Sequence, residues 1–482
     1  MSVELEGTTR RTFLQGAITA GVVSSLPAVA KAATADAPFR PNILYIHSHD
    51  SGRYLRQYGH DVPTPNLAKL ATEGVLFRNT FSAAPTCSPS RASLLTGECA
   101  HSNGMLGLAH LGWMLNDYNK VIIHTLKKAG YNSVLAGLQH IAPKDKIDLI
   151  GYDKIITPKS VHAVDVAPVA IDYLKSKPQG PFFLDCGFFE THRTFDRDVT
   201  KDNADYIMPP AGLPDTPETR EDMAGFHGSA RQLDNAVGDI MAALEEAGLA
   251  ENTLVISTTD HGVSFPEMKC NLYDRGWAVS LVMRGPREFK PGTVCNAMIS
   301  HLDVFPTICE YIGVDKPEWL QGKSFLPVLR GQQKEINEEI FAEVTYHAAY
   351  EPKRCVRTAR YKYIRRYDGR KTAVLPNCDD GDSKQLWLDN GWQTNPLYHE
   401  EEMYDLIFDP LEKNDLSKDP AHQQTLEEMR GRLLAWQKRT NDPILKGPVD
   451  LPSGYRSANV NDVYLQNKKK FVTNGKGTAD AE

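Results

Sequence analysis

Residues 85–97 read Pro85-Thr86-Cys87-Ser88-Pro89-Ser90-Arg91-Ala92-Ser93-Leu94-Leu95-Thr96-Gly97. Pro89 favours the first turn of a helix, and a helix running through Leu95 would end at Gly97. Cys87 then stands at a helix N-terminus, where unpaired backbone N–H groups stabilise an anion or an activated oxygen. Arg91, four residues on, is placed to point back toward it. A lone cysteine is more often a buried core thiol, so the segment has to be read with its surroundings.

On either side, short apolar runs alternate with segments of helical period. Runs 42–46, 133–136, 182–184 and 253–257 read as buried parallel strands, and 66–74, 121–129, 166–175 and 221–247 as helices. This succession predicts an α/β domain, a mostly parallel sheet sandwiched by helices. In such sheets the active site lies beyond the carboxyl ends of the strands. Those ends carry His47-Ser48-His49-Asp50, Gly137-Leu138-Gln139-His140, Glu190-Thr191-His192 and Thr259-Asp260-His261-Gly262. Any one of these residues could be structural, but together they mark a site. From about residue 350 the texture changes. One alternating strand over 356–364, a loose polar stretch 377–395 and a helix 423–439 predict a smaller α+β C-terminal domain with an antiparallel sheet. The expected organisation is therefore an export segment 1–32, a catalytic domain 40–350 and a C-terminal part 351–482.

The 482 residues carry 54 Lys+Arg against 61 Asp+Glu, net −7, which excludes a globally basic nucleic-acid binder. The charge is uneven, because 353–371 holds nine basic residues and one acid, a local +8 that is either in part the solvated face of a strand or, at a pocket rim, an attractor of an anionic ligand. Eight cysteines are too sparse for a disulfide framework. Near the N-terminus, Arg10-Arg11-Thr12-Phe13-Leu14 opens an apolar run to Ala30 with the pattern of a twin-arginine signal. Gln15, Ser24, Ser25 and Pro27 interrupt that run, which is shorter than the roughly 20 apolar residues of a membrane span. Export by the twin-arginine translocation machinery, with cleavage near Ala30, is expected, giving a periplasmic or extracellular protein without integral membrane association.

Cys87-Ser88-Pro89-Ser90-Arg91, continuing Ala-Ser-Leu-Leu-Thr-Gly, resembles the signature of formylglycine-dependent sulfatases of the alkaline phosphatase superfamily. Other segments are similar to the same family in the same order: Pro41-Asn42-Ile43-Leu44, Thr64-Pro65-Asn66-Leu67, Thr259-Asp260-His261-Gly262, His301-Leu302-Asp303-Val304-Phe305-Pro306-Thr307, Arg357-Thr358-Ala359-Arg360-Tyr361-Lys362-Tyr363 and Tyr404-Asp405-Leu406. Phe77-Arg78-Asn79, His101-Ser102-Asn103-Gly104-Met105 and Asn271-Leu272-Tyr273 resemble heparan N-sulfatase more closely.

The resemblance implies an alkaline-phosphatase-like fold and an enzyme that hydrolyses sulfate esters, or N-sulfate, of sulfated carbohydrate. It implies that a formylglycine-generating or sulfatase-maturating enzyme oxidises Cys87 to an aldehyde. One hydroxyl of the hydrated aldehyde attacks sulfur and the other expels the sulfate, which an ordinary serine cannot do. Arg91 would stabilise that group. A divalent metal would be held by Asp50, Asp260, His261 and the residue at 87. His49 stands where an aspartate is usual, either at the metal or facing the substrate. Oxygen ligands favour Ca²⁺, the expected ion, whereas imidazoles shift preference toward Mn²⁺ or Zn²⁺. His140, His192 and Lys269 match the groups that bind sulfate and protonate the leaving group. Leu138 departs from the pattern, since a lysine is frequent there. His101, His347 and Arg354 are expected to recognise the substrate. The alternative is a phosphonate or phosphate mono- or diester hydrolase of the same superfamily.

Overall fold

The computed structural model describes residues 39–195, 202–464 and 471–473; the expected export segment lies outside them. Eight strands form the larger sheet: β1 (Asn42–Ser48), β2 (Val75–Phe81), β3 (Asn132–Gly137), β4 (Lys154–Ile156), β5 (Phe182–Gly187), β6 (Thr253–Thr259), β7 (Leu281–Arg284) and β8 (Thr293–Ser300). Their order is β4-β3-β5-β1-β6-β7-β2-β8, parallel except for β7, which runs against both neighbours. Every residue of β1 is buried, and its alternation divides two cores. Ile43 and Tyr45 pack with Leu94, Leu95, Ile123 and Phe305 on one face. Leu44 and Ile46 pack with Leu67, Leu70, Leu174 and Val237 on the other. Helices Cys87–Thr96, Ile122–Lys128 and Val304–Ile312 thus cover one face, and Pro65–Thr72, Ala163–Lys175 and Pro217–Glu246 cover the opposite one. The α/β sandwich expected from the sequence is present.

A separate antiparallel sheet, order β12-β11-β10-β9, comprises β9 (Glu339–Tyr346), β10 (Tyr350–Thr358), β11 (Tyr361–Arg366) and β12 (Glu401–Asp405). Helix Gln423–Thr440 lays Leu426, Met429, Leu433 and Trp436 over Val356, Tyr363 and Met403. The sequence boundary at 350 falls in the β9–β10 hairpin.

Three expectations are corrected here. The alternating run 356–364 is two strands rather than one. Thr358 Oγ1 accepts from Tyr361 N at 2.9 Å and donates to Tyr361 O at 3.1 Å, closing a two-residue turn with no glycine, proline or asparagine to announce it. The polar stretch 377–395 contains a helix, Asp382–Asp389. The basic cluster is no open cationic rim. Lys353, Arg354, Lys362 and Arg366 are buried against Glu351, Asp442, Glu412 and Glu402, while Arg357 and Arg360 pair with Asp274 and Asp405. The six acids that offset most of its +8 come, Glu351 apart, from distant parts of the chain. All eight cysteines are buried and unpaired. Among the described residues no helix is long and apolar enough to cross a membrane.

Candidate active site

Thr86 is extended and Cys87 begins its helix, which closes on Gly97 in the left-handed conformation, as the residue pattern predicts. Cys87 is buried, with Sγ 3.2 Å from His261 Nε2. Ser90 Oγ donates to Asp260 O at 2.6 Å and so fastens the helix to the end of β6. Cys270 N donates to Pro85 O at 3.0 Å, bringing the Lys269 segment against the same loop. Asp50, His140 and Cys270 all have positive φ, a costly conformation that clusters at working sites.

Carboxylates and imidazoles converge beside Cys87. Ligand atoms of His49, Asp50, Cys87 and Asp260 lie within 4.8 Å of one another. His49 Nδ1 is 3.0 Å from Asp260 Oδ2, and His261 Nε2 is 3.3 Å from Asp50 Oδ1. His261 Nδ1 lies 2.9 Å from Gly262 O, a carbonyl that only accepts. Nδ1 therefore carries a proton, and a neutral His261 turns a bare Nε2 toward the carboxylates. Neither imidazole–carboxylate contact has hydrogen-bond geometry, so among the described residues His49 Nδ1 and Asp50 Oδ1 stay buried and unsatisfied. Two carboxylates and the bare Nε2 of a neutral His261 facing one another in a dry site call for a cation between them, so these residues fit a divalent metal.

Arg91 Nη2 donates to Asp260 Oδ2 at 3.0 Å and to Ser48 O at 2.8 Å. Lys269 Nζ donates to Asp50 Oδ2 at 2.9 Å and Asp379 Oδ2 at 2.7 Å, and lies 3.3 Å from His192 Nε2. Burial pushes the Asp50 carboxyl up, but Lys269, His192 and His261 outweigh it and hold the group well below the usual carboxylate range. Lys269 is likewise held firmly cationic, because Asp379 and Asp50 more than offset the cost of burial. Burial, followed by Lys269, pushes His192 below the usual imidazole range. His192 Nδ1–H donates to Arg193 O, leaving Nε2 to accept from Lys269. His140 stands at the rim with its ring stacked on His110, Nε2 3.2 Å from His110 Nδ1, and burial holds it well below the usual imidazole range. Gln139 Oε1 accepts from Ala142 N at 2.9 Å, so 138–139 supply no replacement cation.

His49, Asp50, Cys87, Arg91, Asp260, His261, His192 and Lys269 are thus brought together, with His140 beside His49 at 5.6 Å between ring centres. His347, buried at the end of β9, lies within the field of Lys269 and Asp379. Arg354 and His101 go elsewhere, against the expectation that they meet the substrate. Arg354 is fully buried and grips Asp442 with Nε and Nη2 at 2.7 and 2.9 Å. His101 Nδ1 is 2.9 Å from Glu343 Oε1, and the other oxygen of that carboxylate is 3.4 Å from Arg354. The two form one interior charge network. Asp379 went unnoticed in the sequence because it sits in a polar stretch with no local signal. His110 shows none either.

The chain is similar to known proteins. The sulfatase family matches residues 41–314, and the N-sulphoglucosamine sulphohydrolase C-terminal family matches 267–383. An ulvan-active sulfatase of Formosa agariphila is 31% identical over 425 residues, covering 86% of this chain and 83% of that one. Human N-sulphoglucosamine sulphohydrolase is 29% identical over 475 residues, covering 84% and 92%. Among solved structures, one bound to D-glucosamine-2-N,6-O-disulfate superposes with a TM-score of 0.67 at 19% identity, covering 85% of this chain and 98% of that one. The family match spans every strand of the larger sheet and therefore every strand end that faces Cys87; the chain belongs to the sulfatase family and is a sulfuric ester hydrolase.

Proposed function

We propose that the protein is an exported sulfatase that removes O-sulfate or N-sulfate from sulfated carbohydrate, with Cys87 converted to formylglycine. The observation that carries this reading is the setting of Cys87, at a helix start among two carboxylates, two imidazoles, a guanidinium and an ammonium. As a thiol it is a poor nucleophile there, since burial pushes its pKa well above the usual range despite Lys269 and Arg91. Formylglycine would supply instead a hydrated aldehyde, one hydroxyl to attack sulfur and the other to expel sulfate as the aldehyde re-forms. Asp50, Asp260, His261 and His49 would hold a divalent cation, which when bound would supply Lewis-acid polarisation of the sulfate and a lower pKa for the attacking hydroxyl.

The remaining steps belong to the chain's own side chains. Arg91 offsets negative charge beside residue 87. Lys269, locked between Asp50 and Asp379, faces the incoming sulfate as a fixed cation. His192 Nε2, which accepts from Lys269, gains proton affinity when an anion binds, takes up a proton from water and then donates it to the departing oxygen or nitrogen. His140 and His347 line the approach of the sugar. With His49 Nδ1 and His261 Nε2 among the donors, the metal preference moves from Ca²⁺, expected from carboxylates alone, toward Mn²⁺ or Zn²⁺. The Arg10-Arg11 pattern supports passage through the twin-arginine machinery, and the Cys87 motif supports modification by a formylglycine-generating or maturating enzyme beforehand.

Two measurements test the proposal. Mass spectrometry of the Cys87 peptide from natively produced protein is expected to show aldehyde in place of thiol. Active enzyme with an intact thiol would sink the formylglycine step. Turnover of glucosamine N-sulfate and sulfated oligosaccharides is expected to exceed that of phosphonate and phosphate esters. The reverse order would promote the phosphorus-ester alternative, which Leu138 disfavours by leaving less positive charge for a dianion.

A further inference from the structure

The roles above leave one buried polar chain unused. β1 and β5 pair with Tyr45 opposite Asp185 and His47 opposite Gly187, so His47 and Asp185 emerge on one face of the central strands. His47 Nε2 lies 2.8 Å from Asp185 Oδ1, and Tyr152 Oη donates to Asp185 Oδ2 at 2.5 Å. At the other end Arg91 Nη1 donates to His47 Nδ1. A guanidinium can only donate, so Nδ1 is the acceptor and the imidazole proton sits on Nε2, where it bonds Asp185. Gly187 makes the room, because a Cβ there would come within 2.4 Å of His47 Cε1.

A carboxylate in the middle of an apolar strand is a poor stabiliser, since an apolar side chain of similar volume commonly serves as well or better. Asp185 nevertheless interrupts Phe182, Phe183 and Leu184, and the chain of hydrogen bonds it anchors ends on Arg91. We propose that Tyr152, Asp185 and His47 form a positioning relay that fixes the guanidinium of Arg91 beside residue 87 and balances its charge through a neutral imidazole. The relay rests on the sulfatase reading. Two Nη2 bonds and one Nη1 bond hold the guanidinium, while its buried Nε–H has no partner. That leaves Nε–H, besides the second Nη1–H, in reserve for an oxygen that a thiol does not carry.

The test compares His47→Leu, His47→Gln and Asp185→Asn with the parent enzyme. Sulfate release from glucosamine N-sulfate and from an aryl sulfate is measured, together with formylglycine occupancy of the Cys87 peptide and the thermal midpoint. His47→Leu is expected to lower kcat by about 10–100-fold, the range seen when outer partners of a working group are removed. KM should stay within about twofold, because the relay does not touch substrate. Glutamine can accept from Arg91 and donate to Asp185, so His47→Gln is expected to recover most of kcat, with Asp185→Asn between the two. Equal losses in the Leu and Gln variants, a KM increase with kcat kept, or losses that merely track formylglycine occupancy would each overturn the relay. A parent enzyme that releases no sulfate from any sulfated substrate overturns the underlying reading instead.

Discussion

Replacing Arg354 by methionine separates two roles that the sequence leaves open for it. Arg354 is wholly buried, donates to Asp442 twice and to Val344 O at 2.9 Å, and lies 3.4 Å from the Glu343 carboxylate. Burial alone would lower its pKa, yet Glu343 and Asp442 raise it, so the charge is never in question. Among the described residues, Arg354→Met leaves the Asp442 carboxylate with Gln437 Nε2 and Ile444 N as donors, at 3.0 and 3.2 Å. Breaking a buried pair from one side costs about 3–5 kcal/mol. An unfolding entropy of roughly 2.1 cal/mol/K per residue over about 440 residues gives ~0.9 kcal/mol/K, so the thermal midpoint should fall by about 4 °C. Thermal unfolding and steady-state kinetics are run on the same preparation, and KM is expected to stay at the parent value. Arg354→Met/Asp442→Leu should regain most of the loss, because two apolar groups replace the whole pair. A midpoint within about 1 °C of the parent, combined with a clearly raised KM, would refute the buried-network argument and return Arg354 to the substrate.

Other expectations follow from the same geometry. Lys269→Met is expected to cut kcat by about 10²–10³, the usual loss for a preorganised electrostatic group, and near-parental sulfate release would remove Lys269 from the site. Chelation should lower the thermal midpoint as Asp50, Asp260, His49 and His261 lose their common partner, with Mn²⁺ restoring it at lower concentration than Ca²⁺; calorimetric titration of each ion checks the order. Stability should also fall in acid. Burial pushes His301 down to about 3, from an ordinary 6.5 in the unfolded chain. Between those values the unfolded state binds the extra proton, so this contribution is complete above pH 6.5 and shrinks by about 1.4 kcal/mol per pH unit as pH falls toward 3. His301→Asn should flatten the dependence of unfolding free energy on pH across that window, and an unchanged slope would contradict it.

The sequence by itself determined the parts that rest on short-range physics. Apolar runs such as 42–46 and 253–257 must be buried strands, helix-period segments must cover them, and polar residues at strand ends must share an edge. That placed Asp50, His192, Asp260 and His261 near one another, and the helix start put Cys87 and Arg91 together. Tertiary structure alone decided which charge answers which. Arg354 and Asp442 are 88 residues apart, and Lys269 and Asp379 are 110 apart. The nine basic residues of 353–371 look like an open field until acids, mostly from distant segments, close on six of them. No local pattern records such pairings, because buried charge is set by whichever opposite group the fold brings within hydrogen-bonding distance. His47 and Asp185 show the same division: their strands are legible in the chain, but the bond between them exists only once β1 and β5 lie side by side.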